Sequence, residues 1–290
     1  MAVALGPASN HRHARGQYVS ESRACDPARL QGPARRYHRC LPAALCRATA
    51  ETPVLGRFLE VSIHAPDILE SLAFYERLGF TQASVGETWS HPYAVVTDGR
   101  LALGLHRYEF PSPSLTFVQP DLMRHLDAIE ALGIDLAFRR VGTDVFNEAG
   151  FTDPNGQMVA MLEARTFSPP QRATHETSRI GWFEEFALPV RDLDASSAFW
   201  EQLGFVAAEQ AAEPCPRVGL TSDSLNVGLW HTGQLDRPTL VFMDPDMPER
   251  IRRLQDMGIE FSRALPRMLD ASRSALLVAP EGTPLLLMTG

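Results

Sequence analysis

The sequence predicts an α+β fold assembled from one unit written twice, and three observations predict it. Residues from about Arg57 to Glu163 recur, offset by 125, between about Gly181 and Met288. Within each copy, stretches that alternate apolar and polar residues are interleaved with stretches that are apolar at helical spacing. Clusters of Gly, Pro, Asn and Asp separate the two kinds, so neither copy reads as purely helical or purely extended.

The first copy opens FLEVSIHAPDILESLAFYERLGF (Phe58–Phe80) and the second FEEFALPVRDLDASSAFWEQLGF (Phe183–Phe205), with Glu60 matching Glu185, Asp67 matching Asp192 and Phe74 matching Phe199. Residues 58–64 alternate, placing Val61 and Ile63 on one face and Glu60, Ser62 and His64 on the other, as in a half-buried strand. Asp67 is set to cap a helix with Glu70 three residues on. Leu72, Tyr75 and Leu78, with Phe74, give its apolar stripe, and Gly79 ends it; Phe199 and Trp200 do the same work in the second copy. Leu101, Leu103 and Leu105 alternate again, as do Val227 and Leu229. Leu115–Phe117 and Leu240–Phe242 begin another strand, each followed by Pro-Asp and a second helix ending at Gly133 or Gly258. Asp153-Pro-Asn-Gly156 and Pro280-Glu-Gly282 are tight turns into the last strands, Met158–Leu162 and Leu285–Met288.

These boundaries give a leader at 1–54, a first module at 55–165, a linker at 166–180 containing Ser168-Pro-Pro170, and a second module at 181–290. Residues 1–50 hold eight Arg against Glu21 and Asp26, without helical period, whereas the chain as a whole is acidic at -8. The leader therefore reads as disordered, or as upstream sequence with Val54 the native start. An acidic body argues against nucleic acid as a partner. No apolar run reaches the ~20 residues of a membrane span. The chain has no lysine, which excludes Schiff-base catalysis by that residue. Cys25, Cys40 and Cys46 fall in the leader at spacings that match no zinc motif, and Cys215 is alone in the body, as suits a reducing cytoplasm. No nucleotide-binding glycine loop, nucleophile elbow or HExxH motif is present.

The D-x-x-x-S-x-x-F-[YW]-x-x-L-G-F pattern, present twice, and the late D-P-N-G turn resemble the vicinal oxygen chelate superfamily, which includes glyoxalase I, extradiol ring-cleaving dioxygenases and bleomycin- and fosfomycin-resistance proteins. The resemblance covers about 220 residues of the body. It implies tandem βαβββ modules whose sheets form a curved mixed wall around a cleft between them, and a small-molecule ligand held by a monomer or homodimer. It also implies a divalent metal held by four cleft positions. The first-strand positions fall on Glu60 and Glu185, but the last-strand positions fall on Ala160 and Leu286, which cannot ligate. The dioxygenases' histidine position falls near Ser114–Leu115 and Pro238–Thr239, where no histidine stands. The expectation is therefore a small-molecule-binding cleft without a metal or other cofactor; the alternative is an enzyme, either a divergent metal-dependent lyase or dioxygenase or a carboxylate acid–base isomerase using Glu60 and Glu185.

Glu60 and Glu185 are the candidate catalytic pair. If the modules meet about a pseudo-twofold axis, the two carboxylates share the cleft floor, raising one pKa and supplying an acid and a base. The alternative is that each bonds to neighbouring strands or an arginine. Ser62, His64, His106 and Asn226, on alternating strands, and the aromatics Trp89, Tyr93, Tyr108 and Trp230 are the candidate ligand-binding residues, the rings by stacking. For His64 and His106 local hydrogen bonding competes with a ligand role, and for each aromatic, core packing does.

Overall fold

The structure, a computed structural model, describes residues 54–83, 91–164 and 178–290. They lie in one compact unit. The leader, its three cysteines, Trp89 and most of the linker fall outside the described residues.

The first half runs β1 (Arg57–His64), α1 (Ile68–Arg77), β2 (Thr81–Gln82), β3 (Tyr93–Thr97), β4 (Ala102–His106), β5 (Ser114–Gln119), α2 (Leu122–Ala131), β6 (Phe138–Arg140), β7 (Glu148–Thr152) and β8 (Met158–Glu163). The second runs β9 (Trp182–Pro189), α3 (Leu193–Gln202), β10 (Val206–Ala207), β11 (Arg217–Thr221), β12 (Asn226–Trp230), β13 (Thr239–Met243), α4 (Met247–Asp256), β14 (Ser274–Val278) and β15 (Pro284–Met288). The fold is α+β, as expected, with two mixed sheets. The finer unit is smaller than the repeat. Each half holds two successive strand–helix–strands units, so β1-α1-β2-β3-β4 is followed by β5-α2-β6-β7-β8 within one eight-stranded sheet of order β2-β3-β4-β1-β5-β8-β7-β6. The second half repeats this in a seven-stranded sheet, β10-β11-β12-β9-β13-β15-β14. The two units of one half share too little side-chain pattern to show as a repeat in sequence.

Local chemistry sets the elements. Asp67, Asp121 and Asp192 each accept a backbone N–H three residues on, from Glu70, Arg124 and Ala195, and so start α1, α2 and α3. Gly79, Gly133, Gly204 and Gly258 follow the helices at positive φ, where a side chain would be strained. In each half the two long strands pair antiparallel, and each also pairs in parallel with a later strand: β1 with β4, β5 with β8, β9 with β12, β13 with β15. Both long-strand pairs carry a register shift beside the glutamate, between Phe58 and Glu60 and at Val241–Phe242 opposite Phe183 and Glu185.

One face of each sheet joins a single apolar core that runs through both halves. It contains Val61, Ile63, Leu103 and Phe117 from the first half and Phe186, Leu188, Leu229 and Phe242 from the second. Each half also reaches the other's first helix with its late turn. Glu281 accepts from Ser71 Oγ and Tyr75 Oη, both at 2.7 Å, and Asn155 donates to Ser196 Oγ at 3.0 Å. Core and turns leave the opposite face of each sheet for other use.

Candidate functional site

On its second face the first sheet wraps a cleft of about 440 Å³. Strands from the centre of the sheet to its edge contribute to the lining, with Ser62 on β1, His106 on β4, Thr116 on β5, Ala160 on β8, Glu148 on β7 and Phe138 on β6. All lining residues belong to the first half, so the cleft lies within one half and not between the two as expected from the sequence. Sheet curvature makes the floor and far wall of the cup, and the segment Tyr108–Pro111 with His91 closes its near side.

Glu60 lies beneath the floor, 3% exposed. Gly104, its neighbour on β4, leaves the room: a methyl group there would overlap the carboxylate. Glu60 Oε1 accepts from Ser62 Oγ at 2.9 Å and from His106 Nε2 at 2.8 Å. Ser62 Oγ is in turn 2.7 Å from Thr116 Oγ1, and His106 Nδ1 is 3.1 Å from Nε2 of His91. Tyr93 stacks on His106, with centroids 5.7 Å apart and planes at 9°. Burial, then the nearby His106, lower the pKa of His91 and favour its neutral form. Across the floor Met158, Ala160 and Leu162 make an apolar seat. Arg139 and Arg140 on the wall are paired with Glu130 at 3.1 Å and Glu148 at 3.0 Å.

Glu185 occupies the matching place in the second sheet, over Gly228. Its Oε1 accepts from Trp230 Nε1 at 2.6 Å, and Arg217 is 3.8 Å away. Burial raises its pKa, against the lowering effects of Trp230 and Arg217. The cup around it is filled by Trp230, Val241, Leu276, Leu286 and Met288, which form an apolar cluster of their own with Ala187 and Cys215. Burial also raises the Cys215 thiol pKa.

The proposed meeting of Glu60 and Glu185 therefore does not occur. They sit in different sheets, each with its own partners, because the sheets join through their core faces while the carboxylates point the other way. Of the candidate ligand-binding residues, Ser62, His106 and Tyr108 line the cleft. Tyr93 backs His106 but borders a separate hollow beside α1. His64 lies outside the cleft lining, its backbone N–H bonded to Ser112 Oγ. Asn226 is exposed and donates to the Glu184 carbonyl, and Trp230 is fully buried core. His91, Ser114 and Thr116 were not singled out in the sequence. The strand alternation that marks Leu115 and Phe117 as core puts the latter two on the cleft face, and that signal was readable. His91, in a loop, carries none.

A chelated metal does not fit these residues. Thr116 and Ala160 stand across from Glu60 on β5 and β8. Glu60, His106 and His91 are bonded in series, their donor atoms aimed at one another and not at a common point. Among the described residues no group of three or more His, Cys, Asp or Glu side chains could hold a metal ion. No described helix is long and apolar enough to cross a membrane.

No family model and no curated protein matches the sequence. Solved structures do match. A catechol 2,3-dioxygenase is 13% identical, covering 81% of this chain and 87% of its own, at a TM-score of 0.52. A variant homoprotocatechuate 2,3-dioxygenase from Brevibacterium fuscum is 15% identical, covering 83% and 73%, at 0.57. A 2,3-dioxygenase from Pseudomonas sp. KL28 is 12% identical, covering 83% and 94%, at 0.52. At these identities the likeness is one of fold. With its paired helices, mixed sheets and cupped first half, the chain has the vicinal oxygen chelate fold of the extradiol dioxygenases.

Proposed function

We propose that the first half binds a small amphipathic organic molecule, and does so without a chelated metal. The cleft of about 440 Å³ carries this reading, because the equivalent cup in the second half is closed by its own side chains. A volume of that size falls in the range of small-molecule pockets. Its lining divides into an apolar seat at Met158, Ala160 and Leu162 and a polar row at Ser62, Thr116 and His106, which orients a ligand with one apolar and one polar end. The neighbours' ring cleavage is not carried over, since the donor set around Glu60 does not support metal chemistry.

A ligand-observed NMR screen of the full chain in chelator tests this. Binding is expected for flat apolar fragments and is expected to vanish in Ala160→Trp, which fills the seat. Binding that survives Ala160→Trp would remove the reading. So would stoichiometric metal that is lost in Glu60→Ala.

A second reading, acid–base catalysis on the bound molecule, is favoured by one observation. The Glu60–His106–His91 series links a buried carboxylate to an imidazole on the cleft wall. It replaces the carboxylate pair expected from the sequence.

A further inference from the structure

We propose that the cleft selects a ligand whose polar end is an amine and rejects one that ends in a carboxylate. This rests on the binding reading above and adds the polarity of the group bound. It follows from counting protons. A carboxylate only accepts hydrogen bonds, and a serine or threonine hydroxyl has one proton to give. Ser62 gives its proton to Glu60 Oε1. The 2.7 Å contact between Ser62 and Thr116 must then use the proton of Thr116. Both hydroxyls thus spend their protons inward, and what they turn to the cleft is lone pairs.

The charge balance points the same way. Glu60 is buried, and among the described residues no arginine reaches it; its one ion-pair partner is His106. The arginines on the wall are already paired with Glu130 and Glu148, and Glu109 also lines the cleft. A metal on this floor would attract anionic oxygens. A carboxylate wired to two hydroxyls attracts N–H donors instead, so the floor has the opposite polarity.

An independent observation marks where the ligand's polar atom belongs. Ser114 lines the cleft on the same strand face as Thr116 and is 2% exposed, yet its Oγ has no hydrogen-bond partner among the described residues. A buried hydroxyl left without a partner is costly, and a ligand heteroatom relieves it. An ammonium offers three N–H donors, which suit the lone pairs of Ser62, Thr116 and Ser114 together. On the floor a carboxylate meets one hydroxyl donor, Ser114, and otherwise lone pairs above a buried negative charge, while the wall's Arg139 and Arg140 are held by Glu130 and Glu148. At the mouth, Tyr108 and Phe110 stack with centroids 6.5 Å apart and planes at 12°, aromatic faces that favour a cation passing or resting near them.

Three probes that share a phenylethyl group decide it: 2-phenylethylamine, 2-phenylethanol and 3-phenylpropanoate, titrated calorimetrically into the full chain at neutral pH in chelator. The amine is expected to bind tightest, the alcohol next, and the carboxylate about tenfold or more weaker than the amine. Glu60→Gln should level the series. Thr116→Val, which installs the residue the second half carries as Val241, should weaken the amine while leaving the carboxylate little changed. A carboxylate that binds as well as the amine, or a series unchanged in both variants, overturns the selection and leaves small-molecule binding standing. If none of the three binds while other fragments occupy the cleft, the selection also falls. If no fragment binds, the binding reading falls with it.

Discussion

In the first half a glutamate, Glu60, lies under two hydroxyls and an imidazole that face an open cleft; in the second, Glu185 at the matching place lies under an indole in a filled cup. Register for register, Ala187 replaces Ser62, Val241 replaces Thr116, Leu286 replaces Ala160 and Trp230 replaces His106. The core face keeps its apolar character in both halves while the cup face diverges around the glutamate. A polar floor is tolerable where its groups bond to one another or to a ligand. Where nothing is bound, hydrocarbon of the right volume closes the space and adds stability. What survives in both halves is the glutamate over its glycine, Gly104 or Gly228, a pairing that fixes where the carboxylate lies whatever surrounds it.

The sharpest way to break this comparison is to empty the filled cup. Trp230→Ala removes a fully buried side chain and the donor to Glu185, and should cost about 3–5 kcal/mol in denaturant unfolding. His106→Ala, at the equivalent place beside an opening that water can enter, should cost about 1–3 kcal/mol. Equal losses would mean that the two cups are alike in energy, and the open cleft would lose its special standing.

The glycines sharpen it further. A methyl group at either site overlaps the glutamate carboxylate. Glu60 has the open cleft beside it, whereas Glu185 is bonded to Trp230 and lies opposite Val241 in a filled cup. Gly228→Ala should therefore cost about 3 kcal/mol and Gly104→Ala about 1 kcal/mol. The reverse order would show that Glu60 is held more tightly than the open cleft implies.

The cross-half contacts also differ. Glu281 receives two hydroxyl donors from α1 at 2.7 Å, where Asn155 gives one bond to Ser196 at 3.0 Å and accepts a longer one from the Arg191 N–H at 3.3 Å. Glu281→Ala should cost about 2 kcal/mol and Asn155→Ala about 1 kcal/mol in the same assay. The pKa of Tyr75 is raised well above the usual tyrosine value of 10.0 by burial and by Glu281, so its phenol contributes stability below that pH and loses it as pH rises beyond. Tyr75→Phe should blunt the alkaline loss.

Much of the fold was legible because it is written in local chemistry: alternation in β1, the Asp67 and Asp192 caps, the Gly79 and Gly204 stops. The site was less so. Alternation correctly put Glu60 and Ser62 on one face, but which face meets the other half is a matter of sheet packing, and that decided against a shared floor for Glu60 and Glu185. Trp230 illustrates the difficulty. As an aromatic at a strand end it is equally suited to stacking on a ligand or to filling the space a ligand would take, and only the surrounding Leu286, Val241 and Met288 choose between them. His91 joins the site through a loop whose path no periodicity marks.

The smallest effect expected is the most specific to the second half. Burial lifts Glu185 above the usual glutamate value of 4.5, even with Trp230 and Arg217 favouring the charged form. A carboxyl whose pKa is higher folded than unfolded contributes stability below its unfolded value and loses it as pH rises through the folded value. Glu185→Gln keeps an oxygen to accept from Trp230 but cannot ionise. Its unfolding free energy should lie within about 1 kcal/mol of the parent protein near neutral pH and be the flatter of the two as pH rises above 4.5. A parent protein that gains stability over that range relative to Glu185→Gln would show that Arg217 outweighs burial. The second cup would then be an ion-pair site, not a closed apolar one, and the contrast with the first half would rest on Trp230 and Leu286 alone.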